Sequence, residues 1–393
     1  MSDMNPDKQH DTLNYTYSYT DNTTMDQNIT SIYNESIEKL QTESVNLHKL
    51  YVNIYTIVVP IIAIVGLFGN TASIAVFTSS FLKRHSSSVF LAALAFVDNL
   101  FLLTLFLTWF DQTASNILST TIPCQIVVYV TYFAAFLSVW LVVGFTTERY
   151  LAICHPLRAP MLCSNRRQKI AVTCLVLFAA VFYNFAIWTT EAVQYGPRKW
   201  CLTIDDYYEF LQIVTWIDTI ISMVLPFFCI AFMNCRVICK AAIFHKKRQH
   251  CYKPTDSMKV KRNKHLTNKS QMRVTRTLLI VSSLFLLLNF PSHLARLYNI
   301  IVAPVSKEKY EKFLQQICQL LYYSTFSVNF FVYALYGKHF QKSFWLMIRS
   351  FKQFFGCRTE HRFSSVEKST KITLTGMRSN TYRWSSDLDI SRC

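Results

Sequence analysis

Residues 124–156 read CQIVVYVTYFAAFLSVWLVVGFTTERYLAICHP. The run is long enough to cross a bilayer as a helix, for which about 20 apolar residues suffice. Its strong charges are the adjacent Glu148 and Arg149 near its end, followed at once by Tyr150. A charge at bilayer depth costs roughly 2.5 to 3.5 kcal/mol on insertion scales. Such a pair therefore sits near the interface, mutually paired, or faces a polar interior. A plain interfacial salt bridge that snorkels to water is the simpler alternative.

Working outward, seven apolar stretches of membrane length lie at 51–79, 88–112, 122–154, 169–190, 209–240, 274–302 and 313–336. With 51% hydrophobic, 15% aromatic and 16% charged residues, the 393-residue chain is too apolar and too segmented for one water-soluble core. Backbone groups in lipid must be satisfied within each segment, so the spans are expected to be helices. The alternating pattern of a membrane barrel is absent. The expected fold is an all-α membrane protein, a seven-transmembrane helix bundle over 51–336.

A net charge of +17 would suit nucleic acid, but its placement argues against such a partner. Basic residues gather at Lys83 and Arg84, at Arg158, Arg166, Arg167 and Lys169, through 240–276, and after Lys338. Those are alternate loops and the C-terminal tail, which marks the cytoplasmic side. Residues 1–50 lean acidic and, with an odd number of spans, fall outside. They are polar and aperiodic, which predicts a disordered tail. Four Asn-x-Ser/Thr acceptors there, at Asn14, Asn22, Asn28 and Asn34, fit glycosylation. No charged segment with a short apolar core precedes the first span, so that helix is expected to direct insertion. The expected location is the plasma membrane, multi-pass, with the N-terminus extracellular and the C-terminus cytoplasmic.

Two carboxylates need explaining. Asp98, in LAALAFVDNL, lies at mid-membrane depth and should face polar neighbours in the bundle interior. Asp218 falls a turn or two inside the fifth span, where a lone carboxylate should point to a wet cavity. It is the first choice to pair with a basic group on a ligand. Arg296, with His293 on the outer half of the sixth span, is open to a ligand carboxylate, a ligand amide carbonyl, or Glu191 or Asp218 as an internal partner.

Glu148-Arg149-Tyr150, followed by Pro156 and Leu157, resembles the Asp/Glu-Arg-Tyr block that closes the third helix of rhodopsin-like G-protein-coupled receptors. Gly69-Asn70, the Leu-Ala-x-x-Asp spacing ending at Asp98, and Pro226 in the fifth span resemble the same family. Phe285 and Pro291 match its sixth-helix motif, with Leu288-Asn289 standing for Cys-Trp. Asn329-Phe330-Phe331-Val332-Tyr333 resembles Asn-Pro-x-x-Tyr with Phe in place of Pro. The fourth span lacks the usual Trp, with Val176 or a neighbour in its place, and Asn234 stands where Tyr is more usual. With Gly337-Lys338-x-Phe340 and Asn-Phe-Pro-Ser-His in the sixth span, the chain looks most like invertebrate neuropeptide receptors. The nearest groups are FMRFamide and myosuppressin receptors and relatives of thyrotropin-releasing hormone receptors.

The resemblance implies roles. Arg149 would pair with Glu148 when silent and move toward Tyr333 and a heterotrimeric G protein when active. Tyr150, Phe285, Pro291 and Asn329 complete the switch, and Leu157 would fill a socket on that partner. Asp98, Ser138 and Asn329 would surround an allosteric sodium ion, with Asn70 as a polar neighbour; no other cofactor or metal is expected. Cys124 and Cys201 would form a disulfide. Thr131 stands where amine receptors carry Asp, which disfavours a small amine ligand. A peptide is expected instead, in a pocket of Thr131, Tyr132, Asp218, His293, Arg296 and Gln319. Asn289 is expected to hydrogen-bond across the core where the aromatic toggle is missing. Many peptide-binding members fold the loop between the fourth and fifth spans as a hairpin.

The basic connection 240–276 interleaves His245, His250, Cys251 and His265 at no zinc spacing, and is expected to lie against anionic lipid. Its ends should extend the fifth and sixth spans as helix. Residues 337–355 place Phe340, Phe344 and Met347 on one face, which predicts a short amphipathic eighth helix at the membrane surface. Cys357 is a palmitoylation candidate. The tail 356–393 is rich in Ser and Thr and fits receptor kinase and arrestin regulation. The expected function is peptide-driven G-protein activation by a shift between helix arrangements. No nucleophile–base set and no phosphate loop point to an enzyme. Two alternatives remain open here. One is a transporter or channel using Asp98 and Asp218, which would bring inverted repeats that the sequence does not show. The other is a receptor that binds ligand without signalling.

Overall fold

A computed structural model describes residues 23–79, 87–114, 116–196, 198–250, 258–301 and 309–350, with side chains described except at 23–44, 48, 244–250, 258–273, 299–300 and 309–312. Asn14, Asn22 and Cys357 with the tail beyond it lie outside the described residues, as do the side chains of Asn28, Asn34, His245, His250 and His265, and Cys251.

The chain forms α1 (Thr23–Thr78), α2 (Ser88–Thr113), α3 (Thr121–Cys154), a short α4 (Ala159–Leu162), α5 (Asn165–Phe182) and α6 (Phe185–Trp188). Then come β1 (Thr190–Tyr195), β2 (Arg198–Thr203), α7 (Tyr208–Thr219), a π-helical turn at Ile220–Val224, α8 (Leu225–His250), α9 (Met258–Ile301) and α10 (Lys309–Tyr336). The fourth span is thus α5 and α6 with a break at Tyr183–Asn184, and the fifth is α7, the π turn and α8. Residues 338–350 are helical, within the stretch expected to be amphipathic.

Among the described residues, six helical segments are long and apolar enough to cross a bilayer on composition alone. The seventh, α10, is less apolar because it carries Gln315, Gln316, Gln319, Thr325, Ser327 and Asn329. It packs against α1, α2 and α9. The axis of the bundle is α3, which touches α2, α5, α8 and α9. Leu94, Leu102, Leu137, Leu141, Phe145, Ile230 and Val281 are buried where these helices meet, whereas Phe68, Val181, Phe228 and Leu287 turn outward. Lipid is as apolar as leucine, so close packing and interhelical hydrogen bonds hold such a bundle together.

Residues 23–50, expected to be disordered, are the start of α1. The reason lies in the segment ESIEKLQTESVNLHKL, dense in Glu, Lys, Gln and Leu, all good helix formers. Likewise α9 begins sixteen residues before the apolar stretch that marks the sixth span. Apolar length reports where lipid begins, not where the helix does.

Prolines inside spans lack a backbone donor, and at two of them a tryptophan from a neighbouring helix compensates. Pro60 would have bonded the carbonyl of Thr56; that oxygen instead accepts from Trp109 Nε1 at 3.1 Å. In the π register the bond missing at Pro226 falls on Ile221, whose carbonyl accepts from Trp140 Nε1 at 3.1 Å. An unsatisfied carbonyl in lipid costs several kcal/mol, so these indoles let both irregularities persist.

Candidate functional site

Polar side chains inside this bundle fall into three groups, at the outer end, the middle and the inner end.

At the outer end, Cys124 at the start of α3 is bonded to Cys201 on β2, with Cα atoms 5.5 Å apart. β1 and β2 pair antiparallel, with Tyr195 opposite Arg198, and Gly196 between them has φ +63°, a conformation open to glycine at such a tight turn. Arg198 donates to Asn116 Oδ1 at 3.0 Å and to the Gln112 carbonyl at 3.1 Å, and Gln125 Nε2 donates to the Thr190 carbonyl at 3.1 Å. The expected hairpin is therefore fixed over the bundle by a covalent bond and by polar ties to the second and third spans.

Beneath it, Asp218 has partners within the chain. Its Oδ2 accepts from Arg296 Nη2 at 2.8 Å, and its Oδ1 accepts from Tyr183 Oη at 2.7 Å and Ser222 Oγ at 2.8 Å. Asp218, expected to meet a basic ligand group, thus meets Arg296, one of the internal partners left open for that guanidinium. A carboxylate taken out of water needs donors, and three from the fourth, fifth and sixth spans occupy most of its roughly four acceptor sites. The Asp218 side chain is 7% exposed, whereas that of Arg296 is 39% exposed. Tyr132 stacks on Tyr183 and is half-exposed, and His293 lies beside Tyr322. Gln319 Oε1 accepts from Ser292 Oγ at 3.4 Å. Thr131 is turned to the second span, bonding Thr104 Oγ1 at 3.0 Å.

Sequence reasoning missed Tyr183 and Ser222. Ser222 was legible as the residue one helical turn after Asp218. Tyr183 carries a weaker signal, a phenol in an otherwise apolar run whose hydroxyl needs a partner.

In the middle, Asp98 is fully buried and accepts from Ser138 Oγ at 2.7 Å and Asn329 Nδ2 at 2.8 Å. Asn70 donates to the Phe326 carbonyl at 2.9 Å, three residues before Asn329, and its own Oδ1 is buried with no hydrogen-bond partner among the described residues. Asn289 donates to the Phe285 carbonyl at 2.6 Å and to Thr325 Oγ1 at 3.3 Å. Thus an amide joins the sixth and seventh spans.

At the inner end, Arg149 Nη2 meets Glu148 Oε1 at 2.6 Å and also donates to Ser87 Oγ at the start of α2. Ser87 was not foreseen, because nothing local distinguishes it within Ser86-Ser87-Ser88. Tyr150 Oη is 3.3 Å from His155 Nε2. Tyr333 is buried against Phe77 and Phe340, and its hydroxyl has no partner among the described residues. Asn234 Oδ1 accepts from Ser282 Oγ at 3.0 Å, tying the fifth span to the sixth. Pro291 lies within α9, and Leu157 is 92% exposed beyond the end of α3.

A membrane bundle with a tethered outer hairpin, a buried polar centre and an arginine held at its inner end is built as a seven-helix receptor. Residues 69–333 match the 7 transmembrane receptor (rhodopsin family) signature, and the chain belongs to that family. It is 27% identical to an FMRFamide receptor of Drosophila melanogaster over 220 residues, 53% of this chain and 37% of the relative. It is 29% identical to an FMRFamide peptide receptor of Caenorhabditis elegans over 211 residues, 48% of this chain and 46% of the relative. The matches thus span less than half the length of these relatives. The family is one of receptors, so neither an enzyme nor the transporter reading finds support in it.

Proposed function

We propose that this chain is a plasma-membrane receptor for an extracellular peptide, with its N-terminus outside and C-terminus inside, and that it activates a heterotrimeric G protein. The observation that carries the ligand side is the unequal exposure of the Asp218–Arg296 pair. Asp218 is buried and takes three donors within the chain, whereas Arg296 uses one N–H on it and keeps 39% of its side chain exposed, which leaves further N–H groups of its fork open to a ligand. The ligand group read here is therefore an acceptor, a carbonyl or carboxylate, and Asp218 holds the guanidinium in position to meet it. The likeness to FMRFamide receptors supports peptides of that type as first probes.

Binding shifts the population between two helix arrangements, and moving 1:99 to 99:1 takes about 5.5 kcal/mol of differential affinity. In the silent arrangement Arg149 is held by Glu148 and Ser87; in the active one it is released toward Tyr333 and the G protein, which Leu157 also contacts. Sodium belongs to the same proposal. The carboxylate of Asp98, the hydroxyl of Ser138 and the amide of Asn329, joined by hydrogen bonds, bring together oxygen donors that suit a hard cation, with Asn70 as a polar neighbour. Such an ion would balance the charge of Asp98 and favour the silent state. Anionic lipid at the basic connection, and arrestin and receptor kinase at the tail, complete the proposed partners.

The test is dose–response to the peptide FMRFamide in cells expressing the receptor, with calcium and cyclic nucleotide read together. Arg296→Gln should shift the half-maximal dose upward by about 10- to 100-fold at unchanged surface amount, as befits one charge-assisted hydrogen bond of about 1.5 to 3 kcal/mol. An undiminished response in that variant removes Arg296 from the ligand site. Silence of the wild type toward FMRFamide and a panel of related amidated peptides sinks the peptide reading.

A further inference from the structure

The inner end of the fifth span carries two thiols that neither the bundle nor the signalling switch uses. Cys235 and Cys239 are one helical turn apart on α8, and both are exposed. They lie on one stripe with Phe228, Phe232 and Ile243, which are all exposed too, so this is a face turned to lipid. The opposite face, with Met233, Asn234 and Val237, is buried in the bundle.

Their depth is fixed by α3. The thiol of Cys154, its last residue, lies 3.9 Å from the Arg236 carbonyl, so Cys235 is level with the end of the third span. Arg236 and Lys240 are exposed beside the two thiols, and Lys246-Lys247-Arg248 follow in sequence. A lipid face that meets a cationic rim at this level is the boundary between acyl chains and headgroups, where long basic side chains reach to water.

We infer that Cys235 and Cys239 are sites of S-acylation by a long-chain fatty acyl group supplied as its coenzyme A thioester. Juxtamembrane cysteines are the substrates of this reversible modification. The cysteine sulfur, as thiolate, attacks the acyl carbonyl. A new carbon–sulfur bond forms, the bond to coenzyme A breaks, and the coenzyme A thiolate takes up the proton that the cysteine lost. The acyl chain then runs beside Phe228 and Phe232 into the leaflet, and the cationic rim draws in the polyanionic donor. Buried Cys318 and half-buried Cys154 lack that combination of depth and lipid exposure. The consequence is an anchor where the fifth span leaves the membrane, at the start of the connection to the sixth.

This inference rests on the reading that the inner end is cytoplasmic, where acyl-coenzyme A is found. The experiment uses the full receptor in cells with Cys357→Ser, so that the tail candidate is silent. Native thiols are blocked, thioesters are cleaved with neutral hydroxylamine, and the released thiols are tagged with a polyethylene glycol maleimide that adds a fixed mass per site. The expected result is one or two hydroxylamine-dependent mass steps. Cys235→Ser or Cys239→Ser should lower that signal and the double variant should abolish it, with Cys→Ala variants giving the same pattern. No step in the Cys357→Ser receptor, or steps that persist in the double variant, overturns the proposal. A C-terminal epitope reached by antibody without permeabilisation would show separately that the orientation, not the thiol chemistry, had failed.

Discussion

Asp218 and Arg296 form one ion pair, yet they are not equivalent, because one partner is buried and the other partly exposed. Deleting Arg296 strands a carboxylate whose side chain is 7% exposed, with Tyr183 and Ser222 still donating but no cation. Breaking a buried pair in this way costs about 3 kcal/mol or more. Neutralising Asp218 instead leaves a 39%-exposed guanidinium that water can hydrate, at a cost of about 1 kcal/mol. Arg296→Ala should therefore lower the melting temperature of detergent-solubilised receptor clearly more than Asp218→Asn does. Equal shifts, or the reverse order, would mean that Asp218 does not depend on Arg296. The sequence showed both charges but not which would be satisfied at home, because Tyr183 reaches Asp218 from another helix and 35 residues away. By contrast Asp98, Ser138 and Asn329 were legible as a cluster, since their motif positions imply it and the structure closes it with two hydrogen bonds.

Among the helices, close approach is set by small residues, and Gly66 on α1 shows how tightly. A Cβ added there would lie 2.5 Å from Leu102 Cδ1 and 2.7 Å from Ser327 Cβ, so it would collide with α2 and α10 together. The leucine methyl can swing aside; the serine Cβ cannot move without its backbone. Glycine to alanine within a helix ordinarily stabilises, by about 0.4 to 1 kcal/mol. Here Gly66→Ala should destabilise instead, by about 1 to 3 kcal/mol, the range for overpacking. A melting temperature equal to or above wild type would show that the first and seventh spans stand further apart. The sequence anticipated a helix in each of the seven apolar stretches, and six of the described helices are long and apolar enough to cross a bilayer. It could not reveal the break at Tyr183–Asn184, the π turn at Ile220–Val224, or the two indoles at Pro60 and Pro226, which are solutions found between helices.

For the whole molecule the proposed mechanism turns on the free-energy gap between silent and active bundles, and it assigns the maintenance of that gap to the ties at the inner end. Arg149 is held twice, by Glu148 on its own helix and by Ser87 on α2. The first tie was readable from adjacent residues, and the second required the fold. The two ties differ in kind, because the bond to Glu148 can travel with α3 whereas the bond to Ser87 crosses to another helix and must break if Arg149 is to leave. Arg149→Ala should abolish G-protein activation while leaving surface expression and peptide binding largely intact, since in the proposed mechanism Arg149 is the group that engages the partner. Ser87→Ala should act in the opposite direction. A lost hydrogen bond to a charged group contributes about 1.5 kcal/mol at the low end, and about 1.4 kcal/mol is a factor of ten in a population. A receptor that is silent at 99:1 would then be active in roughly a tenth of molecules without ligand. The measurement is basal G-protein turnover per receptor at matched surface density, where Ser87→Ala should exceed wild type several-fold and Ser87→Thr, which keeps the hydroxyl, should not. A basal rate in Ser87→Ala equal to wild type would assign the restraint on Arg149 to Glu148 alone.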